Sequence, residues 1–205
     1  MQLQHLVAEF LAQIRQTSLL EYIAVLFGVA SVLLAKKNHV LLYPTGIIST
    51  VIFVYIMAKA GLYAESALNI YYFIMSVYGW WLWYENQGNE NPKAISRNTK
   101  KDWIITVAIC IVGWCVLYFV LKNYTDSDVA FLDAVVSAAA WAGMWLLAKH
   151  KVENWILLNI SNFIAIPLQI HKGIPFTALL TLFLFIVAIF GYRSWRKQYQ
   201  LQHAH

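Results

Sequence analysis

The chain is predicted to be an all-α membrane protein of seven transmembrane helices, two parallel three-helix repeats joined by a single central helix. Of its 205 residues, 60% are hydrophobic and 12% charged, against roughly a quarter charged in a soluble domain. The apolar residues gather into seven continuous runs without period-two alternation, and only a helix satisfies its own backbone along such a run in lipid. The last third also repeats the first third at a spacing of 112 residues. Gly61, Leu68, Phe73, Ile74, Gly79 and Trp83 recur as Gly173, Leu180, Phe185, Ile186, Gly191 and Trp195.

Residues 1–18 carry Leu3, Leu6, Val7, Phe10, Leu11 and Ile14 at helical spacing among polar residues, the pattern of an amphipathic segment on a membrane surface. The first repeat, 19–85, holds the runs Leu19–Ala35, Val40–Ala58 and Leu62–Tyr84. Each is close to the roughly 20 residues that a helical crossing needs. Residues 86–101 are polar and contain Gln87, Gly88, Asn89, Pro92 and Ser96, the one real linker. A linking helix over 102–122, with its apolar run Trp103–Leu121, leads to the second repeat, 123–192. That repeat holds Val129–Ala148, Val152–Ile170 and Ile174–Tyr192, and a tail follows over 193–205. Pro44 and Pro167 are expected to interrupt the hydrogen-bond ladders of spans 2 and 6. Glu21 returns as Asp133, both read as charges favoured at helix N-termini. Leu34-Ala35-Lys36 returns as Leu147-Ala148-Lys149, one residue out of step, which implies a single indel between the repeats.

A lone central helix returns the chain to its starting side, so both triplets enter the bilayer in the same direction. Their symmetry axis then lies along the membrane normal. Four Lys and Arg residues fall on the side of the N-terminal segment and eleven on the other. Cytoplasmic loops carry the positive excess, so the N-terminus is predicted outside and the C-terminus inside. This also accounts for the net charge of +5 without a nucleic-acid partner.

Polar side chains within a span usually face a bundle interior or a water-filled path. Span 3 presents Glu65, Asn69, Tyr72 and Ser76 at i, i+4, i+7 and i+11; span 6 presents Trp155, Asn159, Asn162 and Gln169 at i, i+4, i+7 and i+14. Amides with aromatic plates suit a planar, neutral or weakly cationic ring. The bland alternative is that each amide only bonds to a neighbouring helix. The candidate substrate-binding set is Asn69, Tyr72, Trp141, Trp155, Asn159, Asn162 and Gln169, with Glu65 ranked below it. Trp80, Trp81 and Trp83 fit an interfacial belt at least in part.

No nucleophile grouping, metal-ligand spacing or phosphate-cradling loop occurs, so neither an enzyme nor a resident cofactor or metal is expected. Cys110 and Cys115 are read as packing residues. Without a nucleotide-hydrolysing motif and with few membrane carboxylates, facilitated diffusion is the natural mode. Duplicated helical units in such a chain mark a transporter with its site between the halves; a non-transport membrane scaffold is the rival reading.

Tyr78-Gly79-Trp80-Trp81-Leu82-Trp83 closes span 3 and Val152-Glu153-Asn154-Trp155 opens span 6. Together with Leu62-Tyr63-Ala64-Glu65-Ser66, Pro167-Leu168-Gln169 and Lys172-Gly173, these segments resemble the PnuC family of vitamin transporters over nearly the whole chain. The resemblance implies a three-plus-one-plus-three, SWEET-like fold, a homotrimer, and uptake of nicotinamide riboside across a bacterial inner membrane. It also implies a cytoplasmic kinase that traps the product by phosphorylation. Family members commonly carry Gln where Asn69 stands, which keeps thiamine open as the alternative substrate.

Overall fold

The computed structural model describes residues 17–61, 63–85, 94–125 and 127–204. The amphipathic N-terminal segment up to residue 16, the first half of the 86–101 linker and the Glu65 side chain lie outside the described part. Among the described residues seven helices follow one another: α1 (Leu19–Lys36), α2 (Leu42–Lys59), α3 (Tyr63–Glu85), α4 (Lys100–Tyr124), α5 (Ala130–Ala148), α6 (Asn154–His171) and α7 (Pro175–Gln202). Among the described residues there is no strand, only an isolated bridge between Ser96 and Lys151. Five of these described helices are long and apolar enough to cross a membrane on length and composition alone. The other two, α3 and α6, hold the polar stripes read from the sequence.

The helices form a closed ring. α1 packs on α2 and α2 on α3; α5 packs on α6 and α6 on α7. The two triplets meet through α3 against α5 and α1 against α7, while α4 packs against α5, outside the ring. Accordingly α4 exposes Ile104, Val107, Ile111, Val112, Val116 and Phe119, a face for lipid. α5, pressed between neighbours, buries Ala134, Ala138, Ala139, Ala142 and Gly143; small residues let membrane helices approach closely.

The repeat is visible atom by atom. Left-handed backbone occurs at Asn38 (φ 51°) and His150 (φ 53°), and at Gly61 (φ 76°) and Gly173 (φ 70°). The Ser49 hydroxyl donates to the Ala24 carbonyl across α1–α2, and the Ser161 hydroxyl to the Val136 carbonyl across α5–α6, both at 2.8 Å. Such interhelical bonds contribute about 0.6 kcal/mol each. All these pairs keep the 112-residue spacing. The turns after α1 and α5 keep it too: His39 donates to Leu34 as Lys151 donates to Leu146. The expected indel is therefore absent, because Ala148, not Lys149, stands where Lys36 ends its helix. Pro44 also differs from expectation. It sits in the first turn of α2, where a backbone N–H has no helical partner to lose; Pro167 does lie inside α6. Glu21 and Asp133 stand in the first turns of α1 and α5, and Asp133 also holds Lys172 at 2.6 Å.

One end of the ring is sealed by a core of Ala35, Leu42, Tyr43, Trp83, Ile95, Leu147, Val152, Trp155, Ala188 and Trp195. Trp83 thus belongs to the interior (3% exposed), whereas Trp81 is 56% exposed, as an interfacial residue would be. His150 lies between two indoles, 5.3 Å from the Trp83 ring and 6.0 Å from that of Trp195. The Trp195 indole N–H donates to the Ala35 carbonyl at 2.9 Å, joining α7 to α1. A strap runs beneath: Glu153 accepts from the Asn98 backbone at 3.0 Å and faces Arg97, and Gln202 accepts from Ile95 N–H at 3.1 Å.

Burial pulls the His150 imidazole down to about 4 from its ordinary 6.5, so the folded protein keeps it neutral where an unfolded chain takes up a proton. Stability is then level above about pH 6.5 and falls as pH drops toward 4, by about 1 kcal/mol per pH unit from this group. Thermal unfolding in detergent between pH 7.5 and 5 should show this slope. His150→Asn, which places the residue of position 38 at its repeat equivalent, should flatten it even if it lowers stability at pH 7.5.

Candidate functional site

Within the ring lies a cavity of about 360 Å³, inside the range of small-molecule sites. Every ring helix contributes to its wall and α4 does not. From α1 come Gly28, Ser31 and Val32; from α2 Tyr43, Gly46, Ser49 and Thr50; from α3 Tyr72, Met75 and Ser76. The second repeat adds Ser137, Ala140 and Met144 on α5, Trp155, Leu158, Ser161, Asn162, Ala165 and Gln169 on α6, and Thr181, Leu184 and Ala188 on α7. Among the described residues, no Asp, Glu, Lys, Arg or His lines it.

The floor of the cavity is aromatic. Tyr43 and Trp155 are repeat equivalents, each in the first turn of its helix, and each lies against a glycine, Gly79 and Gly191. A Cβ on Gly191 would fall 2.7 Å from the Trp155 indole, and a Cβ on Gly79 would meet the Tyr43 ring. Behind them, Tyr43 meets Trp83 edge to face at 6.3 Å and Trp155 meets Trp195 in the same way at 5.7 Å. The rings cannot swing back, so the glycines set their depth.

The wall is rich in hydroxyls whose hydrogens are already engaged. Ser31 donates to the Leu42 carbonyl at 2.7 Å, Thr50 to Gly46 at 2.9 Å and Thr181 to Thr177 at 2.9 Å, alongside the Ser49 and Ser161 bonds above. Each bond leaves oxygen lone pairs free. Among the lining residues, the Tyr43 hydroxyl, the Trp155 indole nitrogen and the Gln169 side-chain oxygen are buried without a hydrogen-bond partner.

Four of the seven residues singled out from the sequence line this cavity: Tyr72, Trp155, Asn162 and Gln169. Asn159 does not. It borders a separate apolar groove between α6 and α7 with Ile156, Ile160, Phe163 and Phe185. At about 100° per residue, Asn159 lies roughly 100° round α6 from the centre of the Leu158, Ser161, Asn162 and Ala165 face. Trp141 and Asn69 are not lining residues either. The Trp141 ring stacks on Tyr71 at 4.6 Å and its carbonyl accepts the Tyr71 hydroxyl at 2.9 Å, a pin between α3 and α5. Tyr43 and the five wall hydroxyls escaped sequence reasoning, although the 112-residue spacing maps Trp155 onto Tyr43.

The sequence profile of a family described as "Nicotinamide mononucleotide transporter" matches residues 18–197. Over that length the match is decisive: the chain belongs to this transporter family, and the scaffold reading falls away. The nicotinamide riboside transporter PnuC of Escherichia coli (strain K12) is 24% identical over 204 residues, covering 87% of this chain and 85% of the relative. That of Neisseria mucosa is 24% identical over 193 residues, covering 88% and 73%. The crystal structure of the vitamin B3 transporter PnuC matches with a TM-score of 0.71 at 22% identity, covering 98% of this chain and 90% of that one. The structural likeness establishes the shared fold.

Because the floor rings have no room to retreat, Gly191→Ala should cost about 1–3 kcal/mol of stability through overpacking. Gly28→Ala, whose added carbon meets only the Ser49 hydroxyl at 3.0 Å, should cost less. Unfolding in detergent measures both, and the reverse order would contradict this account of the floor.

Proposed function

We propose that this member of the family mediates facilitated diffusion of nicotinamide riboside into the cell, with Tyr72, Trp155, Asn162 and Gln169 contacting the substrate in the central cavity. The observation that carries the reading is the uncharged, acceptor-rich, aromatic wall. Nicotinamide riboside is a pyridinium cation with an uncharged ribose. Its ring suits the faces of Tyr43, Tyr72 and Trp155, since a cation over an aromatic face is attracted by the ring quadrupole. Its ribose hydroxyls suit the free lone pairs of Ser31, Ser49, Thr50, Ser161 and Thr181.

A mononucleotide fits the same wall poorly. Its phosphate would lose hydration with no cationic side chain among the lining residues, a penalty of several kcal/mol for an unpaired ion. Thiamine shares the cationic ring but brings a single hydroxyl to a wall with five engaged hydroxyls, so it is the weaker candidate. Among the described residues no carboxylate or histidine lines the wall, which supports transport without proton coupling.

The remaining features of the reading are proposals of the same standing. The positive excess supports a cytoplasmic C-terminus and an external N-terminus in a bacterial inner membrane, with the sealed end of the ring facing the cytoplasm. Likeness to the family supports a homotrimer and a cytoplasmic kinase that phosphorylates the incoming riboside. The repeat units, 19–85 and 123–192 around the linking helix, are proposed as the bodies that move. Asn69, Trp141 and Asn159 are assigned to support of the helices that carry the wall.

Purified protein in liposomes should exchange labelled nicotinamide riboside with neither ATP nor an ion gradient. The mononucleotide should compete at least about 100-fold more weakly, as about 2.7 kcal/mol of unpaired phosphate implies, and thiamine should also compete less well than the riboside. Asn162→Ala should weaken riboside binding about tenfold. Equal competition by the mononucleotide would refute the argument from the uncharged wall.

A further inference from the structure

Five wall hydroxyls of the cavity offer lone pairs, and its floor holds two buried donors without a partner. The wall hydroxyls of Ser31, Ser49, Thr50, Ser161 and Thr181 have each given their hydrogen to a backbone carbonyl, so they offer lone pairs. The floor has the opposite character. The Tyr43 hydroxyl and the Trp155 indole N–H are buried and lack any partner, on residues 2% and 1% exposed. A buried donor without an acceptor carries a cost, and an acceptor on a bound molecule would relieve it. Ser49 and Ser161 stand six residues further along α2 and α6 than Tyr43 and Trp155. That is about 9 Å at a rise of 1.5 Å per residue, close to the length of a nucleoside.

We infer that Tyr43, which the sequence did not single out, is a specificity-determining residue that acts with Trp155. Together they donate to the carboxamide oxygen of the nicotinamide. The substrate then sits with its carboxamide on the aromatic floor and its ribose against the hydroxyl layer. A carbonyl oxygen has no hydrogen to give, so against the hydroxyl layer it would meet lone pairs. Ribose hydroxyls do have hydrogens to give, and the lone pairs receive them. Elsewhere in the wall the amides of Asn162 and Gln169 and the hydroxyls of Tyr72, Ser76 and Ser137 also have hydrogens to give, but none of these is a buried donor left without a partner. This inference rests on the riboside reading above and adds the orientation and the residue that enforces it.

The test pairs a substitution with a ligand lacking the group in question. Binding of nicotinamide riboside and of pyridinium riboside, which has no carboxamide, is measured for the unaltered protein, Tyr43→Phe and Trp155→Phe. The unaltered protein should bind the riboside at least about threefold better than the pyridinium analogue. Tyr43→Phe should raise the Kd for nicotinamide riboside about three- to tenfold, the range for one lost hydrogen bond, and leave the Kd for pyridinium riboside unchanged. Equal weakening of both ligands would assign Tyr43 to packing and overturn the inference, as would no weakening of either. Should Tyr43→Phe fail to fold, Trp155→Phe and the ligand comparison on the unaltered protein decide: equal affinity for the two ligands overturns the proposal. If the unaltered protein binds neither riboside, the proposed function itself falls, an outcome distinct from loss of the orientation alone.

Discussion

The hydrogen bond from the Trp195 indole to the Ala35 carbonyl is the contact on which the enclosed cavity depends. Six helices in sequence make a strip; they make a ring only if the last returns to the first. α7 meets α1 at this bond, and α3 meets α5 at the Tyr71–Trp141 pin. The indole that closes the ring also backs Trp155 edge to face and lies parallel to His150. Closure of the ring, position of the floor and neutrality of the buried imidazole thus share one side chain. In lipid, where no water is on hand to replace a lost partner, such a bond between helices is kept or the end of the ring opens. A carrier that alternates access needs a joint of this kind, firm when shut and small enough to part.

The duplication gives this architecture its symmetry, and the differences between the copies give it direction. Left-handed turns and interhelical serine bonds are the same in both halves. At the cavity the equivalents diverge: Tyr43 faces Trp155, Thr50 answers Asn162, Tyr72 answers Leu184 and Ser76 answers Ala188. A wall with perfect two-fold symmetry would offer the same groups to both sides of a molecule that has no symmetry. Backbone geometry is held by what both copies need to fold, while wall chemistry is free to follow the ligand. The amides and the one indole of the wall come from the second copy, and the phenols from the first.

Much of this was legible in the sequence, for physical reasons that also mark where legibility stopped. Continuous apolar runs are forced by the bilayer, so all seven helices could be read, and residues seven and fourteen apart stay on one face, so Trp155, Asn162 and Gln169 were read together. Rotation of a helix about its own axis is set by its neighbours, and spacing does not encode it; hence Asn159 was grouped with a face it does not share. Trp83 resembled its interfacial neighbours because composition is blind to depth. The apparent indel came from a chance match of Leu, Ala and Lys, whereas the true register is held by left-handed turns at Asn38 and His150. Tyr43 stands in an apolar run whose polar residues are small hydroxyls such as Thr50, seven residues on, and no amide or carboxylate marks its face; its repeat partner Trp155 is the clearer sign.

The uncharged wall also bears on how the proposed carrier, working without coupling, would accumulate its cargo. An ungated equilibrium across a membrane stops at equal concentrations on both sides, so net uptake must come from removal of the product. In the proposed cycle phosphorylation would remove it in two senses. It lowers the inner concentration of the transported species, and it adds a dianion that the lining residues have no cation to receive. A wall bearing Lys or Arg would hold that dianion and offer it a route back. In the proposed cycle the absence of positive charge is therefore a functional feature of the cavity, since the property that admits the nucleoside is the one that denies exit to its phosphate. Selectivity against the nucleotide and one-way accumulation then have a single origin: the desolvation cost of an ion in a cleft lined by hydroxyls, amides and aromatic rings.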